Sequence, residues 1–178
     1  MDFLTDLVAP FVRIAGVLSI PDMQARWFLP FVLPLCAVAI LTDLRWMKIT
    51  NRTTDILGLV FLVVGLFLMP LPEYGWRVAH LVIVLLIGFV ANAGGLMGAG
   101  DAKFLAAAAP YVPLADVKFV GFLFCGMLLG AVITQRLLKF TPLRRLAPEW
   151  ESWTRGLDFP MGLVLGTTLG LYLILGAL

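Results

Sequence analysis

The sequence predicts an all-α fold: a polytopic membrane helix bundle of about six transmembrane helices plus an N-terminal amphipathic or additional spanning helix. Three observations lead there. The 178 residues are 61% hydrophobic and only 13% charged, with a mean hydropathy of +1.00. Soluble domains carry about twice that charged share, and one soluble core of this length could not hide so much apolar surface. Runs such as 55–70 and 80–91 hold almost no charge in their interiors, and the basic residues sit between such runs. This composition excludes a disordered chain, a disulfide scaffold and an ordinary cytosolic enzyme. A net charge of +2 gives no footing for nucleic acid, so membrane lipid is the expected surrounding and nucleic acid is not a partner.

The chain divides into an N-terminal helix over 1–22 and one membrane domain over 23–178. Asp2 and Asp6 stand where a cleaved signal would be basic. Phe3, Leu4, Leu7, Phe11, Ile14 and Leu18 share a helical face, interrupted by Pro10 and Gly16. That pattern suits a helix lying in the membrane surface, with a first spanning helix as the alternative.

Six apolar segments follow, over 27–41, 56–69, 76–94, 102–112, 117–138 and 159–178. The second and fourth are short for a span of about 20 residues, and starting the fourth at Met97 lengthens it. Trp27, Trp46, Trp76, Trp150 and Trp153 fall near segment ends, as an interfacial belt does. Asn92, inside the third segment, is expected to hydrogen-bond across helices. The stretches 43–53, 97–103 and 136–157 carry nine of the thirteen Lys and Arg residues, which predicts that they face the cytoplasm. Only if the short fourth segment crosses does the basic 136–157 loop fall on that side.

Cys36 and Cys125 lie inside apolar runs, no Cys-x-x-Cys exists, and His80 is the only histidine. Neither a structural zinc site nor a redox pair is expected, and no metal or cofactor is implied.

Two acids are placed oddly. Asp43 ends the first long apolar run, and Asp101 closes Gly98-Ala99-Gly100-Asp101 between two apolar segments. By the topology above, both lie at the cytoplasmic boundary. Acids at membrane depth are costly and point to function. Each has a plain structural reading as well. Asp43 could pair with Arg45 or Lys48, and Asp101 could cap a helix while Lys103 reaches outward. Two carboxylates brought together cannot both ionise, so such a pair shares a proton. One member can then take a proton from water while the other protonates the scissile carbonyl. The glycines beside Asp101 let another backbone approach closely. The runner-up reading is a membrane transport or channel component using Asp43 and Asp101 as ion or proton sites, and a third is an assembly factor without catalysis. Transport sites tend to lie near the midplane, whereas these acids lie at one face.

At these residues the sequence resembles the type IV prepilin peptidases, membrane aspartic proteases of the Gly-x-Gly-Asp class. The likeness covers about 27–178 and is nearest to the small form serving Tad/Flp pili, related to archaeal preflagellin peptidases. Asp43-Leu44-Arg45-Trp46-Met47-Lys48-Ile49-Thr50-Asn51 resembles the family's first motif, an Asp followed by a basic stretch and Ile-Pro-Asn. Gly98-Ala99-Gly100-Asp101-Ala102-Lys103 resembles the second, and Phe159-Pro160-Met161-Gly162 a Pro-aromatic-Gly element opening the last helix. Thr50 replaces the family's Pro, which would loosen the turn, and Met161 replaces an aromatic residue.

The resemblance implies catalysis by Asp43 and Asp101, supported by Gly98, Gly100, Lys103, Lys48 and Asn51. It implies a prepilin or pseudopilin substrate, whose short cytoplasmic leader ends in Gly before a hydrophobic helix, and the pilus assembly machinery as a further partner. It also implies a multi-pass protein of the cytoplasmic (inner) membrane with its site facing the cytoplasm. Larger members methylate the new N-terminus with an added cysteine-bearing domain. Here the expectation is peptidase activity alone.

Overall fold

A computed structural model describes residues 16–139, 150–153 and 159–178. Of the expected N-terminal helix, residues 1–15 lie outside the described residues and 16–21 run through a turn and a bend rather than a helix, and most of the basic 136–157 loop also lies outside them.

Six helices account for the six apolar segments: α1 (Asp22–Trp46), α2 (Asn51–Leu68), α3 (Leu71–Ala93), α4 (Ala99–Ala108), α5 (Val117–Lys139) and α6 (Met161–Gly176). The short second segment reaches 18 residues by drawing its polar flank from Asn51 into the helix. The short fourth is ten α-helical residues continued by a 3-10 turn over Ala109–Tyr111. Four segments are long and apolar enough to cross a membrane: Asp22–Trp46, Asn51–Leu68, Leu71–Ala93 and Leu114–Leu137. The shorter α6 is apolar on all sides, which in a bundle marks a central helix.

The core forms around α1 and α6, which run antiparallel. Ala25, Phe28, Val32, Cys36 and Ala39 make a buried stripe along α1 at helical spacing. Against it, α6 presents Gly162, Gly166 and Gly170, four residues apart. A Cβ on Gly166 would lie 2.9 Å from Ile40 Cγ1 and 3.1 Å from the Cys36 carbonyl oxygen, so only glycine permits this approach. Toward the other end, Tyr111 packs edge-on against Phe28 and Phe61, with ring centroids 4.8 and 5.3 Å away. Its hydroxyl donates to the Leu57 carbonyl at 2.8 Å. These contacts tie the end of α4 to α1 and α2.

The segment 98–116 runs from one end of the bundle to the other. It begins beside Ile49 and Asn51 and ends at Asp116, among the residues that close the far end. Asp116 does more than end a helix. It is buried and accepts from the Ser19 and Ile20 amides at 2.9 and 3.1 Å, and from the Tyr172 hydroxyl at 2.6 Å. Nearby, buried Arg77 donates to the Pro110 carbonyl at 3.2 Å and pairs with Glu73. Asn92 departs from expectation. Its side chain donates to the Met97 carbonyl at 2.9 Å and braces the turn into α4 rather than bridging two helices.

Candidate active site

The stripe that buries α1 does not stop at Ala39. One helical step further it reaches Asp43, an acid only 5% exposed on an otherwise apolar face. The helix ends at once. Met47 takes a left-handed conformation (φ 52°, ψ 39°) and donates its amide to the Asp43 carbonyl at 2.8 Å. The chain then turns through Lys48, Ile49 and Thr50 into α2. Thr50 does not loosen this turn. Its φ of −74° lies where proline would hold it, and its hydroxyl caps α2 by accepting from the Thr53 amide.

Asp43 is held from across the bundle. The amide of Gly162, 119 positions later, donates to Asp43 Oδ2 at 2.6 Å. Gly162 opens α6, where an N–H has no intrahelical acceptor and is free to bond a carboxylate. A Cβ there would stand 2.9 Å from both Asp43 Cβ and Oδ2. Gly162 is thus a site residue outside the candidate set, although the Phe159-Pro160-Met161-Gly162 element pointed to it. Pro160 sets the turn and the glycine admits the acid.

Asp101 is half-buried in the first turn of α4. Its carboxylate lies beside Gly98, the residue from which the helix starts. A Cβ on Gly98 would lie 2.7 Å from Asp101 Oδ2. Gly100 serves another purpose, since its Cβ would press on the Ile49 carbonyl oxygen at 3.3 Å and Ile49 Cβ at 3.4 Å. Ile49 also packs on Gly162, where a Cβ would come within 3.0 Å of its Cγ1. Buried Ile49 is therefore a wedge between the starts of α4 and α6; it stands within the first motif but outside the candidate set.

This wedge brings the two acids together. Asp43 and Asp101, from the last turn of α1 and the first turn of α4, lie within Coulombic reach of one another. The support residues partly join them. Lys103 Nζ donates to Asn51 Oδ1 at 2.9 Å, clasping the start of α4 to the start of α2. Lys48 is exposed in the intervening turn and forms no ion pair among the described residues. Asp101 and Gly98 also line the end of a cavity of about 860 Å³ that extends between the helices. Among the described residues, no group of three or more His, Cys, Asp or Glu could hold a metal ion.

Two carboxylates within Coulombic reach at one end of an apolar bundle, one of them lining a cavity, can activate water on one side of a peptide and protonate it on the other. A family model described as the type IV leader peptidase family matches residues 30–135. Comparison with curated proteins and with solved structures gives no match.

Proposed function

The chain belongs to the type IV leader peptidase family, and from that premise we propose that it is a membrane aspartic endopeptidase using Asp43 and Asp101 to remove the leader of Tad/Flp-type prepilins or pseudopilins. The observation carrying this reading is the placement of two carboxylates, far apart in sequence, within Coulombic reach at one end of the bundle. Both motif matches fall on these acids.

The chemistry follows from the pair. One carboxylate takes a proton from water, and the water oxygen attacks the scissile carbonyl carbon. The other carboxyl gives its proton to the carbonyl oxygen. Collapse of the tetrahedral intermediate then expels the amine, which leaves with a proton from the dyad. The Gly162 amide fixes the Asp43 carboxylate, Gly98 leaves room for that of Asp101, and productive geometry of this kind is tight. The transport reading draws less support, because both acids stand at helix ends and not amid the bundle.

Purified in detergent, the protein is expected to shorten a prepilin by its leader, with a chelator present and no methyl donor added. A folded protein that leaves the precursor intact would overturn the reading. Zinc-restored loss on chelation would overturn its metal-free form.

The site end is proposed to face the cytoplasm, because Arg45, Lys48, Arg52 and Lys103 gather there. In a parent lacking Cys36 and Cys125, Lys48→Cys should resist an impermeant thiol reagent in intact cells and Leu71→Cys should react. The reverse pattern would invert the orientation.

A further inference from the structure

The cavity that ends at Asp101 is a trough with distinct walls and floor. One wall is α3, through His80 and Val84, and the other is α5, through Val120 and Gly121. Its floor is α4 and α6, through Asp101, Leu165 and Thr168. The walls have no extensive packing against each other, so the trough opens sideways between them. Both are apolar helices that bury little: 11% of the most apolar stretch of α3 and none of that of α5. A Cβ on Gly121 would meet nothing within 4 Å.

Two polar groups lining this space lack a partner, His80 Nε2 on the α3 wall and Thr168 Oγ1 on the floor, and of these Thr168 is the nine-tenths buried one. Thr168 is 4% exposed, lines the trough, and its Oγ1 has no hydrogen bond. A helical threonine ordinarily bonds the carbonyl one turn back, as Thr167 does with Leu163 at 2.7 Å. A buried hydroxyl left unpaired is costly, so Thr168 awaits an acceptor or donor from whatever fills the trough. It lies six residues beyond Gly162, which touches Asp43, and is therefore about 9 Å deeper along α6.

We propose that the trough between α3 and α5 seats the hydrophobic helix of the substrate, entering sideways from lipid. Thr168 favours a helix carrying a hydrogen-bonding side chain about six residues past the cleaved bond. This rests on the peptidase reading above. The occupant is a helix because the trough reaches Asp101 at one end, opens sideways between α3 and α5, and is lined mostly by apolar side chains, with the unpaired His80 and Thr168 groups along it. A substrate helix continuing from the scissile peptide would run alongside α6, and a residue about six positions on would reach Thr168.

The probe is a synthetic peptide with a basic leader ending in Gly, followed by about twenty leucines. One Gln is moved from the third to the ninth position after the Gly. KM for cleavage is expected to be lowest with Gln near the sixth position, about fivefold below the all-leucine peptide, with kcat little changed. Thr168→Val should erase that preference and leave cleavage of the all-leucine peptide alone, and Thr168→Ser should keep it. In the Asp101→Asn protein, a photo-crosslinker at Val120 should capture the peptide, and one at lipid-facing Phe67 should not. A flat KM profile with cleavage intact would overturn the role of Thr168. Capture of lipid alone at Val120 would overturn the docking. Failure of the wild-type protein to cut any peptide would count instead against the peptidase reading, and capture at Val120 would still decide whether a helix docks there.

Discussion

Asp43→Asn and Asp101→Asn are each expected to lower prepilin cleavage by about a thousandfold or more while leaving expression and insertion intact. Asn copies the shape of Asp but cannot cycle a proton. At Asp43 this substitution is well suited, because an amide oxygen can still accept from the Gly162 amide, so the contact between α1 and α6 survives while the chemistry does not. Loss in the double variant should barely exceed loss in either single one, since groups acting as a unit are non-additive. Asp→Glu should also be severely impaired, because an added methylene moves the carboxyl by about an ångström. Asp55, exposed on α2, is the matched control. Asp116 is not, because its carboxylate accepts from two amides and Tyr172 at the far end, and its loss would disturb folding. Substantial cleavage by a well-expressed Asp43→Asn or Asp101→Asn protein would eliminate the dyad.

Gly98→Ala and Gly162→Ala should come next in size, each lowering kcat by about a hundredfold. The added methyl would sit 2.7 Å from Asp101 Oδ2 in the first case and 2.9 Å from Asp43 Oδ2 in the second. Real Cβ atoms do not approach so closely, so the carboxylate must swing away, and at Gly162 the start of α6 must also draw back from Asp43 Cβ. Because the displaced atoms belong to the proposed reacting groups, the loss should fall on kcat more than on KM. Gly75→Ala on α3, where a Cβ would meet nothing within 4 Å, is the control and should leave cleavage unchanged. Near-normal kcat in either alanine variant would show that the acids do not need these glycines.

Much of this architecture was legible in the sequence. Six apolar segments became six helices, and the short second one lengthened by absorbing its polar flank, because Asn51 and Arg52 are compatible with a helix end at an interface. Asp43 and Asp101 stood out because an acid is conspicuous against an apolar background. Asn51 and Lys103 matched separate motifs, and their contact at 2.9 Å explains why both accompany the acids. Asn92 misled, since a polar side chain within an apolar run can as readily satisfy a nearby turn as a neighbouring helix.

What the sequence by itself determined was the class of fold and the order of the helices, and it marked the two acids as candidates. What only the tertiary structure decided was which faces meet. In a soluble helix the polar side announces the surface, so periodicity reveals the core. In a bilayer both the core-facing and the lipid-facing sides are apolar, and that signal disappears. Thus α5 and α6 are both apolar helices, yet no residue in the most apolar stretch of α5 is buried, while α6 is buried on nearly every side. Ile49 and Gly162 stood within motifs, but the same loss of signal hid what they touch, and it hid Thr168 as an unpaired hydroxyl in the trough altogether. Each is defined by an approach of distant chain segments at van der Waals or hydrogen-bonding distance, and an apolar pattern read along the chain carries no record of such approaches.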